Sequence, residues 1–504
     1  MSRRASETPI KFGTDGWRAI IADDFTFANL ERVAQAYADY LSTPETAQPA
    51  ATLSNKTQPD KARTGGAQTT GSLVIVGYDR RFLSEQFALR AAQVLAGNGF
   101  RVALFDEAVP TPLISWAVRE QGALGGVVIT ASHNPAEFNG FKIKAPWGGS
   151  ASPEITAAVE ALMDQNPPRR EELSEHESSE NSTRDMLLRT IESYRAQIAS
   201  YIDLERLRSA PHRVVIDPMH GSGGRWVESF LEGGQLNAET IRAARDPLFG
   251  GVHPEPIDRN LGPLKKRVTE AGAILGLATD GDADRLGAVN ERGETMTMHE
   301  VVPLLLLHLA RTRGMSGGVV RTFSQSVLTK RIASAHNLPL YDTPIGFKYI
   351  ADLMLKQNIL LGAEESGGIG VQGHIPERDG VLNCLLLLEA VIMSGKPPSQ
   401  MVREMHSEFG EFYFGRRDIH VDVKRGQDLV AMLASAPPTN LTGFQVSGVE
   451  TMDGTKLLFE DESWLLFRQS GTEPVLRIYS EATSTTKMEA LLDQGVTFAE
   501  EHTT

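Results

Sequence analysis

The amino-acid sequence predicts an α/β protein of several domains with parallel or mixed sheets, followed by a smaller α+β domain. Three observations carry this. The chain has 504 residues, enough for about three to four domains at roughly 150 residues each. Short β-branched runs alternate with glycine- or Asp-rich turns and amphipathic helices, the pattern of βα units. After about residue 412 the pattern changes to short strand-like runs near 419–423, 443–449 and 464–467.

Taken in order, Leu30, Val33, Tyr37 and Leu41 recur at helical spacing. Residues 43–71, rich in Thr, Ala, Pro, Gln and Gly without periodicity, read as a flexible insertion. Leu73-Val74-Ile75-Val76-Gly77 is a strand leading through Tyr78-Asp79-Arg80-Arg81 into a helix from about Ser84. There Phe87, Ala88, Ala91, Val94 and Leu95 share a face, and Gly97 and Gly99 close it. Val127-Val128-Ile129-Thr130 runs into Ala131-Ser132-His133-Asn134-Pro135, and Val214-Val215-Ile216-Asp217 into His220-Gly221-Ser222-Gly223-Gly224. Residues 171–185 are acidic and serine-rich, a solvated surface near a domain boundary. Residues 274–278 lead into Thr279-Asp280-Gly281-Asp282, and Val319-Val320-Arg321-Thr322 into Ser324-Gln325-Ser326 and a further helix. Ligands collect beyond the carboxyl ends of such strands, where these turns sit.

Composition narrows the class. With 41% hydrophobic and 23% charged residues the chain is ordinary globular protein. Its 50 Lys+Arg against 64 Asp+Glu give a net charge of −14, which argues against nucleic acid as a partner while permitting a small basic pocket. The single cysteine, Cys384, excludes an internal disulfide and thiolate zinc clusters, and Asn383-Cys384-Leu385-Leu386 reads as a buried helix. No apolar run follows the N-terminal arginines. The longest apolar stretch, 301–310, holds Pro303 and His308 and is too short to span a bilayer. A soluble, cytoplasmic protein without membrane contact is expected.

Four loops carry chemistry. Ser132 follows a strand on a tight turn, but the Gly-x-Ser-x-Gly elbow of a hydrolase is absent and His133 is poorly placed as its base. By itself the pair reads as a capping or turn serine ahead of a catalytic one. Asp280-Gly281-Asp282-Ala283-Asp284-Arg285 spaces three carboxylates by two, so that in an extended loop they share a face and converge on a hard cation. A calcium loop would need glycine where Arg285 stands, so Mg²⁺ fits better, the other reading being a polar loop without metal. Gly362-Ala363-Glu364-Glu365-Ser366-Gly367-Gly368 suits adjacent sugar hydroxyls, or an ordinary turn. Arg468-Gln469-Ser470-Gly471-Thr472-Glu473-Pro474 suits a phosphate cradle, or a polar hairpin connection.

Together and in this order, the four loops resemble the α-D-phosphohexomutase superfamily, its phosphoglucomutase and phosphomannomutase branches above all. The resemblance runs from Lys11-Phe12-Gly13-Thr14-Asp15-Gly16-Trp17-Arg18 to the Arg468 loop. It implies four domains around a central cleft: three related α/β mixed-sheet domains (1–190, 191–300, 301–410) and a smaller C-terminal α+β domain (411–504). It also implies that Ser132 carries the phosphoryl group and that Asp280, Asp282 and Asp284 bind one Mg²⁺ together with that phosphoserine. Arg18, His133, Lys142 and Arg285 would surround the phosphoserine, and Lys348 would contact the ligand. Glu364 and Ser366 would hold the sugar, while Arg468, Ser470, Gly471 and Thr472 would grip the non-reacting phosphate. Arg378 stands where glucose-specific relatives often carry lysine, and arginine does not give up its proton. The expected activity interconverts glucose 1-phosphate and glucose 6-phosphate through a hexose 1,6-bisphosphate, by a monomer or homodimer. A dual glucose/mannose mutase, a bisphosphate synthase and an inactive sugar-phosphate-binding scaffold are the alternatives. Intact Ser132 and aspartates argue against the last.

Overall fold

The computed structural model describes residues 10–13, 15–44, 73–173, 183–441, 443–470 and 474–503. Four sheets form in chain order. The first holds β1 (Trp17–Ile20), β2 (Leu73–Tyr78), β3 (Arg101–Leu104), β4 (Gly125–Ile129) and β5 (Phe138–Lys144), in the order β1-β5-β4-β2-β3. The second holds β6 (Arg213–Asp217), β7 (Asn237–Thr240), β8 (Leu275–Thr279), β9 (Leu286–Asn290) and β10 (Thr295–Met296), in the order β10-β9-β8-β6-β7. The third holds β11 (Gly318–Thr322), β12 (Leu340–Thr343), β13 (Ile359–Ala363) and β14 (Ile369–Val371), in the order β12-β11-β13-β14.

One four-stranded core recurs in all three. Its first strand pairs in parallel with the second and third, and the third pairs antiparallel with the fourth. The reversal from third to fourth strand lies at the carboxyl end of the parallel strands. In successive domains that reversal carries Ser132, then the three aspartates, then Glu364 and Ser366. The three loops are therefore one structural position used three times. β2, β8 and β13 are buried along their whole length, as parallel strands covered on both faces must be. The helix Ser84–Gly97 covers the first sheet with Phe87, Ala88, Ala91, Val94 and Leu95, the face its spacing predicts.

The fourth sheet is wholly antiparallel: β15 (Tyr413–His420), β16 (Asn440–Leu441), β17 (Phe444–Glu450), β18 (Thr455–Phe459), β19 (Trp464–Gln469) and β20 (Val475–Ala482), in the order β15-β20-β19-β18-β17-β16. The helices Val423–Ser435 and Thr485–Thr503 pack on it. The strand expected at 419–423 lies at 413–420 instead. Asp422 accepts the N–H groups of Lys424 and Arg425 and starts a helix there.

The division expected at residue 190 falls inside the helix Thr183–Tyr201, and that at 300 inside Met298–Leu307. These helices join successive sheets. The division at 410 falls between the helix Pro398–Phe409 and β15. Most of the 43–71 insertion, and 174–182 of the acidic stretch, lie outside the described residues. Cys384 is fully buried in the helix Gly380–Ser394. Among the described residues no single helix is long and apolar enough to cross a membrane.

Candidate active site

Ser132 occupies left-handed backbone, φ +52°, a conformation that costs a non-glycine residue about 1–3 kcal/mol and persists only where the surroundings impose it. Arg81 imposes it. This fully buried guanidinium donates to the carbonyls of Ser132 (2.7 Å), Asn134 (2.6 Å), Pro135 (2.7 Å) and Phe138 (3.0 Å). Its Nε donates to Asp79 at 3.1 Å, and the Thr130 and Ser84 hydroxyls complete that carboxylate. The Ser132 N–H is taken by Thr130 Oγ1 at 2.8 Å. The hydroxyl is thereby aimed across the domain boundary, where it donates to Asp280 Oδ2 at 2.8 Å and lies 3.3 Å from His133 Nδ1.

The aspartate loop meets it closely. A Cβ on Gly281 would lie 2.4 Å from the Ser132 carbonyl oxygen, so only glycine lets the two backbones touch. Asp280, Asp282 and Asp284 are buried and present oxygens within 4.8 Å of one another. They converge through a turn, not the extended loop the spacing suggested. Ala283 has φ +61° and its N–H donates to the Asp280 carbonyl. Asp280 Oδ1 accepts the N–H groups of Asp284 and Arg285 at 3.0 and 3.1 Å. Burial raises the Asp280 carboxyl well above the carboxylate range, and its two neighbours add to it. Burial likewise raises Asp284, against the pull of Arg378. Asp282 Oδ1 and Asp284 Oδ1 are buried without a hydrogen-bond partner. Crowded carboxylates with orphaned inward oxygens fit a hard divalent cation.

Cations ring this cluster. Lys142 Nζ lies 2.8 Å from Asp282 and from Asp15, and 3.4 Å from Asp284. Burial opposes its charge, but these carboxylates raise its pKa and keep the ammonium. Arg18 donates to Asn134 Oδ1 at 2.6 Å. The Arg285 guanidinium approaches Asp284 and Glu255 at 4.0 Å. Burial, reinforced by Arg285, Arg18 and Lys142, drives His133 far below its usual range, so its imidazole is neutral. Arg378 reaches Asp15 (2.7 Å), Asp284 (2.8 Å), Glu377 (3.3 Å) and Glu364 (3.5 Å). Against burial, these acids raise its pKa further, so it moves no proton.

The third loop is stitched to the second by backbone, with Arg285 bridging Gly368 and the Leu286 N–H donating to the Gly367 carbonyl at 3.0 Å. Burial, eased in part by Arg378, raises the Glu364 carboxyl to about 7, and its Oε2 has no hydrogen-bond partner. Ser366 is half-buried on the same turn. Lys348, on the helix Phe347–Lys356, shares a small pocket with Asp15, Gly16, Ser150 and Thr156. In the fourth sheet Arg468 ends β19 with Nε 3.0 Å from Asp453, and the Ser470 N–H donates to the Val475 carbonyl at 2.9 Å. Gly471 and Thr472 lie outside the described residues.

Family models match the chain in four successive stretches. They are phosphoglucomutase/phosphomannomutase alpha/beta/alpha domain I over residues 61–170, domain II over 192–293, domain III over 298–409 and the C-terminal domain over 419–497. The chain belongs to this family. It is 32% identical over 430 residues to a phosphoglucomutase/phosphomannomutase of Thermococcus kodakarensis, covering 85% of this chain and 90% of that protein. It is 30% identical over 434 residues to a phosphoglucosamine mutase of Halorhodospira halophila, covering 83% and 86%. A crystal structure from Thermus thermophilus, described as a phosphomannomutase, superposes with a TM-score of 0.80 at 35% identity, covering 98% of this chain and 100% of that one.

The chain is thus a phosphohexomutase of the isomerase class, built as three alpha/beta/alpha domains and a C-terminal domain. Several residues that organise its site escaped the sequence reading. Arg81 and Asp79 stand in a turn noted only as a turn. Asp15, whose carboxylate meets Lys142 and Arg378, lies in the N-terminal motif without having drawn a role. The signal available for Asp79 and Arg81 was a charged turn at the carboxyl end of a fully apolar strand.

Proposed function

We propose that this phosphohexomutase interconverts glucose 1-phosphate and glucose 6-phosphate, with Ser132 as the phosphoryl carrier. The observation that carries the reading is the Ser132 hydroxyl, held in imposed left-handed backbone 2.8 Å from a buried aspartate triad. Phosphorylated Ser132 donates its phosphoryl group to the free sugar hydroxyl. The P–O bond to Ser132 Oγ breaks as the bond to sugar oxygen forms, the hydroxyl's proton ends on the released Ser132 oxygen, and a hexose 1,6-bisphosphate results. The bisphosphate turns around and returns its other phosphate to Ser132. Asp280, Asp282 and Asp284 would hold Mg²⁺, which offsets phosphoryl charge when bound. Lys142, Arg18 and Arg285 add fixed positive charge around the transferring group, where positioning and electrostatics supply most of the catalysis. Neutral His133 orients the serine oxygen. Lys348 and Arg378 border the sugar's path, and Glu364 and Ser366 take its hydroxyls. Arg468, Ser470, Gly471 and Thr472 grip whichever phosphate is not reacting.

Glucose is favoured because the sugar loop reads Glu364-Glu365-Ser366-Gly367-Gly368. Dual glucose/mannose and glucosamine relatives tend to carry a histidine at the last position. A dual-specificity mutase is the second reading, favoured by the double name of the Thermococcus relative. Purified protein is to be assayed on glucose, mannose and glucosamine 1-phosphates, with and without hexose 1,6-bisphosphate. The expected outcome is the highest kcat/KM on glucose 1-phosphate, with turnover lost in Ser132→Ala while the thermal midpoint holds. Equal or better turnover of mannose 1-phosphate moves the protein to the dual branch. Net release of bisphosphate makes it a synthase. Near wild-type turnover by Ser132→Ala ends the phosphoserine mechanism.

A further inference from the structure

Two of the contacts between the C-terminal sheet and the third domain bear on Arg468, one by contrast and one directly. At the root of the sheet, Glu481 of β20 is fully buried and accepts from Ser326 Oγ at 2.5 Å, the Val327 N–H at 2.8 Å and Trp464 Nε1 at 3.1 Å. Glu462 takes Arg331 Nε nearby at 3.0 Å. None of these groups touches Arg468. The second place is the tip of the hairpin between β17 and β18. There Asp453 spends its two carboxylate oxygens on different domains. Oδ2 accepts the N–H of Ile345, in the turn before the helix that bears Lys348, at 2.9 Å. Oδ1 lies 3.0 Å from Nε of Arg468. The tip is also fixed against β19. Gly454 has φ +96°, and a Cβ there would lie 2.3 Å from the Phe467 carbonyl oxygen.

We propose that Asp453 is a positioning residue that couples the seating of the C-terminal domain on the third domain to the aim of Arg468. The inference rests on the phosphate-gripping role given to Arg468 above. The contact is an ion pair, not an aligned hydrogen bond; a carboxylate placed on the Nε side biases the planar fork by charge and leaves its terminal amino groups for a phosphate. Asp453 meets both partners only while the two domains are apposed. Once they part, the Ile345 N–H returns to water and the carboxylate is free to swing onto the terminal nitrogens, where it competes with the ligand. Arg468 is therefore aimed when the cleft is closed and disarmed when it is open. The Arg468 side chain keeps 15% of its surface exposed, so loss of Asp453 leaves its guanidinium in partial contact with water, and the thermal midpoint reads any cost to folding.

The test compares Asp453→Ala, Asp453→Asn, Arg468→Lys and the double variant Asp453→Ala/Arg468→Lys in the full chain. KM and kcat are measured on glucose 1-phosphate, the Kd of glucose 6-phosphate by calorimetry, and the thermal midpoint alongside. Asp453→Ala is expected to raise KM and Kd about tenfold with kcat changed less than about twofold, because one charge-assisted contact aimed at the ligand is lost. Asp453→Asn, which keeps one acceptor, should fall between it and wild type. The double variant should bind no worse than Arg468→Lys alone, since both changes act on one contact. An Arg468→Lys variant with raised KM beside an Asp453→Ala variant of unchanged KM overturns the coupling. So do effects that multiply in the double variant. An unchanged KM in Arg468→Lys overturns instead the phosphate-gripping role on which the coupling rests.

Discussion

Glu364, in the third domain's reversal and proposed to take sugar hydroxyls, has a carboxyl that burial has raised from 4.5 to about 7. Between those values the folded chain binds a proton there that the unfolded chain has released. Its contribution is therefore most favourable below about pH 4.5 and is lost as pH rises through 7, a change of about 3 kcal/mol. Glu364→Gln should flatten the stability-versus-pH slope in that window, read by urea unfolding at pH 5 and pH 8. Parallel slopes in the two proteins would show that Glu364 titrates normally. At this scale the sequence was legible where chemistry is local. The three aspartates stand out by their own spacing, whereas Ser132 and Glu364 drew a role only from the four loops taken together. Arg81 drew none, because the carbonyls it holds lie 51 to 57 residues away. A pattern of neighbours carries no trace of a partner that distant.

The reversal between the third and fourth strands of each core is the element on which the site is built. At Gly281 the missing side chain lets the second domain's loop rest on the Ser132 carbonyl. Gly281→Ala must push the loops apart. Turnover should fall at least about tenfold, while stability drops by about 1–3 kcal/mol, the usual range for overpacking. Full activity with an unchanged denaturation midpoint would show that the loops have room the structure denies. Fully apolar parallel strands such as β2 and β13 were legible as strands because both faces are buried. β15 was not. Its burial alternates only weakly through Tyr413-Phe414-Gly415-Arg416, whereas Ile419, Val421 and Val423 mimic an alternating strand across what is the start of a helix. The antiparallel return strands were also hidden, since strand direction follows from pairing and not from composition.

At the scale of the whole molecule, charge wires the domains together. Lys144 of β5 meets Glu377 of the third domain at 2.6 Å with both side chains fully buried, and the Arg378 N–H donates to the same carboxylate. Removing Lys144 leaves the buried Glu377 with Arg378, 3.3 Å away, as its remaining cation, at a cost of up to about 3–5 kcal/mol, the range for breaking a buried pair. Lys144→Met should cost that much, and Lys144→Met/Glu377→Leu should recover most of it, as read by urea unfolding. A double variant as unstable as the single one would mean that the pair is net stabilising in its own right. Length bounded the domain count at about three to four, and the family resemblance made it four. The contacts between domains were not legible, because an ion pair spanning 233 positions leaves no spacing to read.

The repeated loop position has a consequence for the order in which the enzyme comes into being. Each of the first three domains contributes one loop to the cluster, and none holds a complete set. During synthesis domains fold as they emerge, N-terminal first, at about 5–20 residues per second. Ser132 leaves the ribosome 148 residues ahead of the aspartate that accepts its hydroxyl, a lead on the order of ten seconds. Throughout that interval the nascent chain already carries the serine proposed as phosphoryl carrier, yet lacks the aspartates proposed to hold a metal beside it. On that reading, chains released early have no complete site.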